Sequence, residues 1–395
     1  MVRIKQRRVW AALLAVGAVT SLAATPAQAA NNAWSADLST VDGNDVNVAY
    51  AGGALSIQDT KSERKPGEGA QGYLFIGEHQ LAKPANRVTA QVAGANAEVD
   101  VRGKLGAEDW TEWTPAGTTL PQTVSSVEVR VSLRGADAKV RDVKLSADQA
   151  PQVSSMAAAA ASPGLTYKIY ATREGLTGGT TANGHVITSR DHFVALPSGK
   201  PLSPKGTGNY SVRVCLTDNS RCEYAPVWDV GPWNERDDYW NPSSVRSMWK
   251  DLPQGKPEAY AANKEGYNGG KDDRGRRVPN PAGIDLADGV FWDGLKMSDN
   301  GYVNVTYLWT GSGPTGVVTT AGDPMNVRGS ASTSGAVKGF AANYAKVNIE
   351  CYVEGETVTG HFGTSNIWDR IGPGHYVSDT YLKTGSDLPV APKCA

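Results

Sequence analysis

Short runs in which apolar and polar residues alternate recur along the chain, and helix-period runs are scarce. Val46-Asn47-Val48-Ala49-Tyr50, Gly72-Tyr73-Leu74-Phe75-Ile76, Val88-Thr89-Ala90-Gln91-Val92, Ala97-Glu98-Val99-Asp100-Val101 and Val127-Glu128-Val129-Arg130-Val131 set a period of two. That period puts one face of each strand in a core. With Leu55-Ser56-Ile57 and Val140–Leu145, these runs predict an N-terminal β-sandwich, jelly-roll-like, over residues 31–146. Within it, Trp110 and Trp113 sit in a polar setting, as core-edge packing or as a sugar platform.

A Ser-, Ala- and Gln-rich stretch, 147–164, predicts a linker. The second domain, 165–310, has strands at Thr166–Ala171, His192–Leu196, Tyr210–Leu216, Tyr224–Val230 and Tyr302–Trp309, parted by Gly-rich turns. Asn241–Trp249 predicts the start of a short helix. Residues 260–281 are charged and Gly-rich, with no core pattern, and predict a surface loop. Gly311–Gly322 predicts a flexible stretch before a small β unit at 323–395. The fold class is therefore all-β, in three units.

Residues 1–29 predict a signal peptide: a basic head of Arg3, Lys5, Arg7 and Arg8, an apolar run, then Ala27-Gln28-Ala29. Removing those four charges takes the chain from −1 to near −5. That balance disfavours nucleic acid and anionic membranes as partners. No later apolar run reaches spanning length, so a secreted protein without membrane insertion, a monomer, is expected.

Four cysteines, Cys215, Cys222, Cys351 and Cys394, allow three pairings. In an exported chain, bridges are expected over thiols. Nearest-neighbour pairing, 215 with 222 and 351 with 394, keeps each bridge inside one unit. No Cys/His spacing suggests zinc, no Gly-x-Ser-x-Gly occurs, and no cofactor is implied. Asp237-Asp238 reads as a solvated face. Eleven Trp and fifteen Tyr against five Phe suit a sugar-facing surface or sheet core.

Two acids stand in apolar runs: Asp229 in Trp228-Asp229-Val230 and Asp285 in Ile284-Asp285-Leu286. Partial burial would raise a carboxyl pKa, as proton donation to a glycosidic oxygen requires. Asp229 then reads as acid/base, Asp285 as its partner and His192 as a proton handler. The alternative makes both acids caps of backbone N–H groups. Trp228, Trp233, Tyr239, Trp240 and Trp292 are candidates to stack on sugar, or core.

The second domain resembles the double-psi β-barrel of the rare lipoprotein A-like and expansin-like superfamily. The resemblance rests on Thr181-Ala182-Asn183-Gly184, Phe193-Val194-Ala195-Leu196-Pro197, Asp229-Val230-Gly231-Pro232 and Ile284-Asp285-Leu286, in that order. Val230 stands where that superfamily has arginine, and His192 lies one residue from the place of its histidine. The last unit resembles a bacterial SH3 domain, on Met325–Ala331 and Tyr376–Leu382. That resemblance implies binding of cell-wall peptide or glycan, with Tyr344, Tyr352, Trp368 and Tyr376 as groove or core. Three functions are thus in view: a secreted enzyme cleaving peptidoglycan glycan strands, a lytic transglycosylase or glycosidase; an expansin-like polysaccharide or cell-wall binder that does not cut; and a protease inhibitor.

Overall fold

The computed structural model describes residues 32–64, 67–151 and 162–395. The expected signal peptide and most of the expected linker lie outside the described residues. The protein is predominantly β, and residues 32–395 form one compact unit.

The N-terminal sheet has eight strands: β1 (Ala33–Ser35), β2 (Val48–Ala51), β3 (Ala54–Ile57), β4 (Gln71–Ala95), β5 (Ala97–Gly103), β6 (Thr114–Pro115), β7 (Thr119–Arg134) and β8 (Lys139–Asp148). Alternation along β8 buries every apolar position, Val140, Val143, Leu145 and Ala147. The expected sandwich is built as one hydrogen-bonded sheet, because β4 changes partner midway. Residues 71–87 pair with β7 and residues 87–95 with β8. Bulges at Ile76/His79 and Gln80/Ala85, the second containing Pro84, interrupt the ladder before the switch.

Six strands then close on themselves: β9 (Leu165–Arg173), β10 (Val194–Leu196), β11 (Ser211–Leu216), β12 (Cys222–Val230), β13 (Ile284–Leu286) and β14 (Gly301–Tyr307). Their order is β10-β13-β9-β14-β11-β12, and β10–β12 pairing shuts the ring. The β10–β12 and β9–β13 pairs are parallel and the other four antiparallel. Closure removes sheet edges. Val212, Val214, Val227, Ile284, Val303 and Val305 fill the barrel core. Trp113 of the N-terminal sheet is 1% exposed in the same core and donates its indole N–H to the Leu202 carbonyl. Trp110 is half-buried over the Arg102 guanidinium, 4.5 Å from its ring centroid.

The C-terminal unit comprises β15 (Thr315–Val318), β16 (Met325–Arg328), β17 (Val337–Ala341), β18 (Lys346–Asn348), β19 (Cys351–Gly360), β20 (Gly363–Gly372), β21 (His375–Ser378) and β22 (Leu382–Lys383). It grows directly from the barrel. β12 pairs parallel with β17, Glu223 facing Phe340 in register, so one sheet runs through both. Gly339 makes this approach possible. Its φ is +141°, and a Cβ there would lie 1.6 Å from the Cys222 carbonyl oxygen. Within 311–322, expected to be flexible, β15 pairs with β18 and β22.

Both disulfides join the expected partners. Cys215–Cys222 crosses the β11–β12 hairpin and Cys351–Cys394 ties down the tail.

Three local expectations are corrected by polar groups that fold inward. Asn241–Trp249 forms turns around a wholly buried Arg246, whose guanidinium bonds Asp237 and the Lys256 carbonyl. Asp237 and Asp238 are accordingly no solvated face: both are 0% exposed, and Asp238 pairs with Lys200 at 2.8 Å. Residues 260–281 are no bare loop either. Helix α1 (Glu258–Glu265) packs Ala259 and Ala262 on Val278, and buried Asp272 accepts the N–H groups of Arg274 and Arg276. Backbone and cation partners replaced the apolar period that the sequence lacks.

Candidate functional site

A cleft of about 990 Å³ lies between the barrel and the C-terminal unit. The turn after β9 brings His185, Asp191 and His192 to it. β12 brings Trp228, and the segment around β17 brings Phe340 and Tyr344. Because β12 and β17 are hydrogen-bonded neighbours, the two walls are fixed to each other.

Two histidine–carboxylate pairs line this cleft or its floor. His185 Nε2 is 2.7 Å from Asp191, which also accepts the Thr188 N–H and hydroxyl. His192 Nδ1 is 2.5 Å from Glu223 Oε1. Glu223 is wholly buried, and its Oε2 has no hydrogen-bond partner among the described residues. Gly294 leaves the room for that carboxylate: a Cβ there would fall 1.3 Å from Oε2. Burial pulls the His192 pKa down, but Glu223, with Asp293 and Asp191 behind it, outweighs burial and raises it. Burial pushes Glu223 up while His192 pulls it back. Charge attraction favours the proton on the imidazole, and burial of both groups opposes it.

The ring wall is compact. Trp228 lies 4.9 Å from His185, 5.9 Å from Phe193 and 6.2 Å from Tyr344, centroid to centroid. Its indole N–H donates to the Thr207 carbonyl at 2.8 Å. Tyr344 is 38% exposed and offers the open ring face. Trp292 stands beside the cleft residue Arg190, its ring between the guanidinium groups of Arg173 and Arg190 at 4.6 and 4.9 Å.

Asp229 is not in this cleft. It is 1% exposed, and its Oδ1 accepts the Ala182 N–H at 2.7 Å, the Val230 N–H at 2.8 Å and an Arg64 N–H at 2.7 Å. Arg64 comes from the connection between β3 and β4 and also donates to the Val230 carbonyl. Asp229 therefore ties the Thr181–Gly184 turn, the end of β12 and the N-terminal unit together. Asp285 is half-buried and accepts the Thr172 hydroxyl. Both acids pair in register with Ala195 of β10, from opposite sides. Two strand spacings, about 9.5 Å, then part their backbones. Their described partners differ: Arg64 and two backbone N–H groups for Asp229, the Thr172 hydroxyl for Asp285.

The remaining ring candidates divide. Tyr239 and Trp240 are 0% exposed core, their polar atoms bonded to the Gly283 carbonyl and Glu112. Trp233 is half-buried, bonded to Asn280 and packed against Ala259 and Ala262. Trp368 is 3% exposed with its indole N–H on the Glu356 carbonyl, and Tyr352 and Tyr376 are half-buried. Sequence reasoning missed His185, Asp191, Glu223 and Phe340 as a group. The signal for Glu223 was present: an acid at the head of an apolar strand, next to Cys222. Among the described residues, no cluster of three or more His, Cys, Asp or Glu side chains is arranged to hold a metal ion, and no helix is long and apolar enough to cross a membrane.

Residues 165–306, the barrel with its insertions, match the family model described as a domain of unknown function, DUF8814. No solved structure matches the chain. The "Uncharacterized protein YraJ" of Bacillus subtilis (strain 168) is 44% identical over 86 residues, 20% of this chain and 73% of the relative. The "Uncharacterized protein YraI" of the same organism is 44% identical over 88 residues, again 20% of this chain and 73% of the relative. Identity at that level over most of each relative's length means that the chain belongs to the family of these two proteins.

Proposed function

We propose that the protein is a secreted, non-catalytic binder of cell-wall polysaccharide, expansin-like in its barrel and SH3-like in its C-terminal unit. The observation that carries this reading is the environment of Asp229. The residue best placed in the sequence to act as glycosidic acid/base is sealed against Arg64 and two backbone N–H groups. Cleavage needs a carboxyl that reaches the leaving oxygen. Meanwhile the open cleft joins ring faces to hydroxyl-matching donors and acceptors, the composition that grips sugar. The six-stranded closure with two parallel pairs supports the double-psi resemblance.

One observation favours a second reading, glycan cleavage by a different group. His192 is held on a buried carboxylate in the way a proton-transferring histidine is held. Incubation of the purified protein with cell-wall sacculi separates the two. Sedimentation with the sacculi and no soluble glycan by mass spectrometry is the expected result. Released fragments with anhydro-muramyl or reducing ends overturn the binder reading, and loss of those fragments in His192→Gln would assign the chemistry to that ring.

A further inference from the structure

We propose that the cleft selects a sugar bearing a carboxylate, with His192 and the lysines of the cleft wall holding the acid group and Tyr344 the ring. This deepens the polysaccharide-binding reading and rests on it.

The argument starts from charge. Of the acids lining the cleft, Asp191 is engaged by His185 and Thr188, and Asp293 pairs with Arg190 at 3.1 Å. Beneath the cleft, the Glu223 charge is met by His192. Lys205 and Lys296 also line the cleft, are exposed, and have no acidic side chain within 4.0 Å among the described residues. Asp323 is the lining carboxylate that offsets one of them. By number Arg190, Lys205 and Lys296 balance Asp191, Asp293 and Asp323, but Asp191 and Asp293 are tied up by His185, Thr188 and Arg190 while both lysines stand away from any described acid, so the unengaged cations outnumber the unengaged acid by one. A phosphate or sulfate chain would bring a denser charge and would call for free guanidinium groups. Arg190 is instead occupied by Asp293 and the Trp292 ring.

Direction comes from His192. Its Nδ1 faces inward to Glu223, which leaves the Nε2 edge for the cleft that the residue lines. The groups around it are Glu223 and Arg221 from β12 and its hairpin, Asp293 from the helical turn Gly289–Gly294, Asp191 beside it and Phe340 from β17. Arg221 is turned away onto the Gly294 and Asp293 carbonyls. A protonated His192 thus offers one charge-assisted N–H to a ligand acceptor. It does so below its raised pKa and stops as pH rises through it. The carboxylate itself is lost only near pH 4. Mild acid to neutral pH is then the window for capture.

The test is calorimetric titration of the mature protein with a tetrasaccharide of galacturonic acid and with its methyl ester, at pH 5.5 and 8.5. The acid form should bind about tenfold tighter than the ester at pH 5.5, equivalent to about 1.4 kcal/mol. That preference should shrink about threefold at pH 8.5. His192→Gln should abolish the pH dependence, and Lys296→Ala, at an exposed position, should cut the preference without affecting the fold. Equal affinity for acid and ester overturns this inference and leaves the polysaccharide-binding reading standing. No binding of either, by protein that also fails to sediment with sacculi, overturns both.

Discussion

Strand β12 carries a buried carboxylate near each end, and the two have opposite fates. Asp229 meets Arg64 and two backbone N–H groups in a sealed junction between the barrel and the N-terminal sheet. Glu223 meets a histidine whose other edge belongs to an open cleft. An arginine keeps its charge at every accessible pH, so the Asp229 tie is permanent. A histidine gains and loses its charge near neutrality, so the Glu223 pair can respond. What distinguishes a strut from a working group here is the partner and its access to solvent, not the acid or its strand.

The largest effect should come from breaking the strut. Arg64→Met removes the guanidinium that buried Asp229 and Glu68 share, which costs about 3–5 kcal/mol by the usual penalty for breaking a buried ion pair. Denaturant unfolding measures it. Sacculus binding by the fraction that stays folded should be unchanged. A stability loss under about 1 kcal/mol would remove the distinction drawn above.

Glu223→Gln comes next. His192 can become neutral when its acid is gone, so the expected cost is about 1–3 kcal/mol, nearer that of a lost hydrogen bond. The more telling measurement is the titration of the His192 ring by NMR. With Glu223 removed, burial prevails and the pKa should drop. A titration that stays where it was would show that Asp191 and Asp293 suffice, and that Glu223 is a strut as well.

A third test reads all the buried acids at once. Burial raises Asp237 to about 6 despite Arg246, and Glu258 to about 7 despite Asn234. Burial with Asp379 beside it takes Asp369 to about 7. Each holds its proton more tightly folded than unfolded, so each stabilises below about pH 4 and loses that contribution as pH climbs through its folded value. His192 has the same sign at higher pH. Glu235 opposes them. Burial would raise it, but Arg134, Arg274 and Arg64 bring it to about 2, so its contribution is present above about 4.5 and fails as pH falls. His375 opposes them too: burial lowers it to about 4, so its contribution is full above about 6.5 and fails as pH falls. The melting temperature should therefore peak between about pH 5 and 6.5 and decline toward pH 8. Glu258→Gln should flatten part of that decline. A maximum at pH 8 would mean that these groups are better solvated than the fold implies.

The sequence displayed some of this and hid the rest for reasons that lie in the physics. A period of two exposes strands such as β8, where one face is wet, and nearest-neighbour cysteines predicted both bridges. β12 is buried along its whole length, so it has no period to betray that a third-unit strand pairs with it. The Arg64–Asp229 contact spans 165 residues and has no local signature. Asp237-Asp238 and Tyr239-Trp240 read as a wet, sugar-facing segment because charge and rings stand together. Arg246, Lys200, the Gly283 carbonyl and Glu112 satisfy their polar atoms and allow all four to be buried. Polarity in a sequence reports which groups need partners, not whether water is the partner.

The smallest expected effect concerns the ring beside Arg190. Trp292 is 39% exposed between two guanidinium groups, each already paired with an acid: Arg173 with Asp288 and Arg190 with Asp293. Such stacking at an exposed site contributes about 0.5–1 kcal/mol. Trp292→Ala should thus lower stability by no more than about 1 kcal/mol. If the ring also meets sugar at the mouth of the cleft, polysaccharide affinity should fall about two- to fivefold, with Tyr344→Ala, on the open inner face, costing more. Equal affinities for wild type and Trp292→Ala would make this tryptophan a spacer for two arginines, a strut of the same kind as Asp229. The binding surface would then begin at Tyr344 and end inside the cleft.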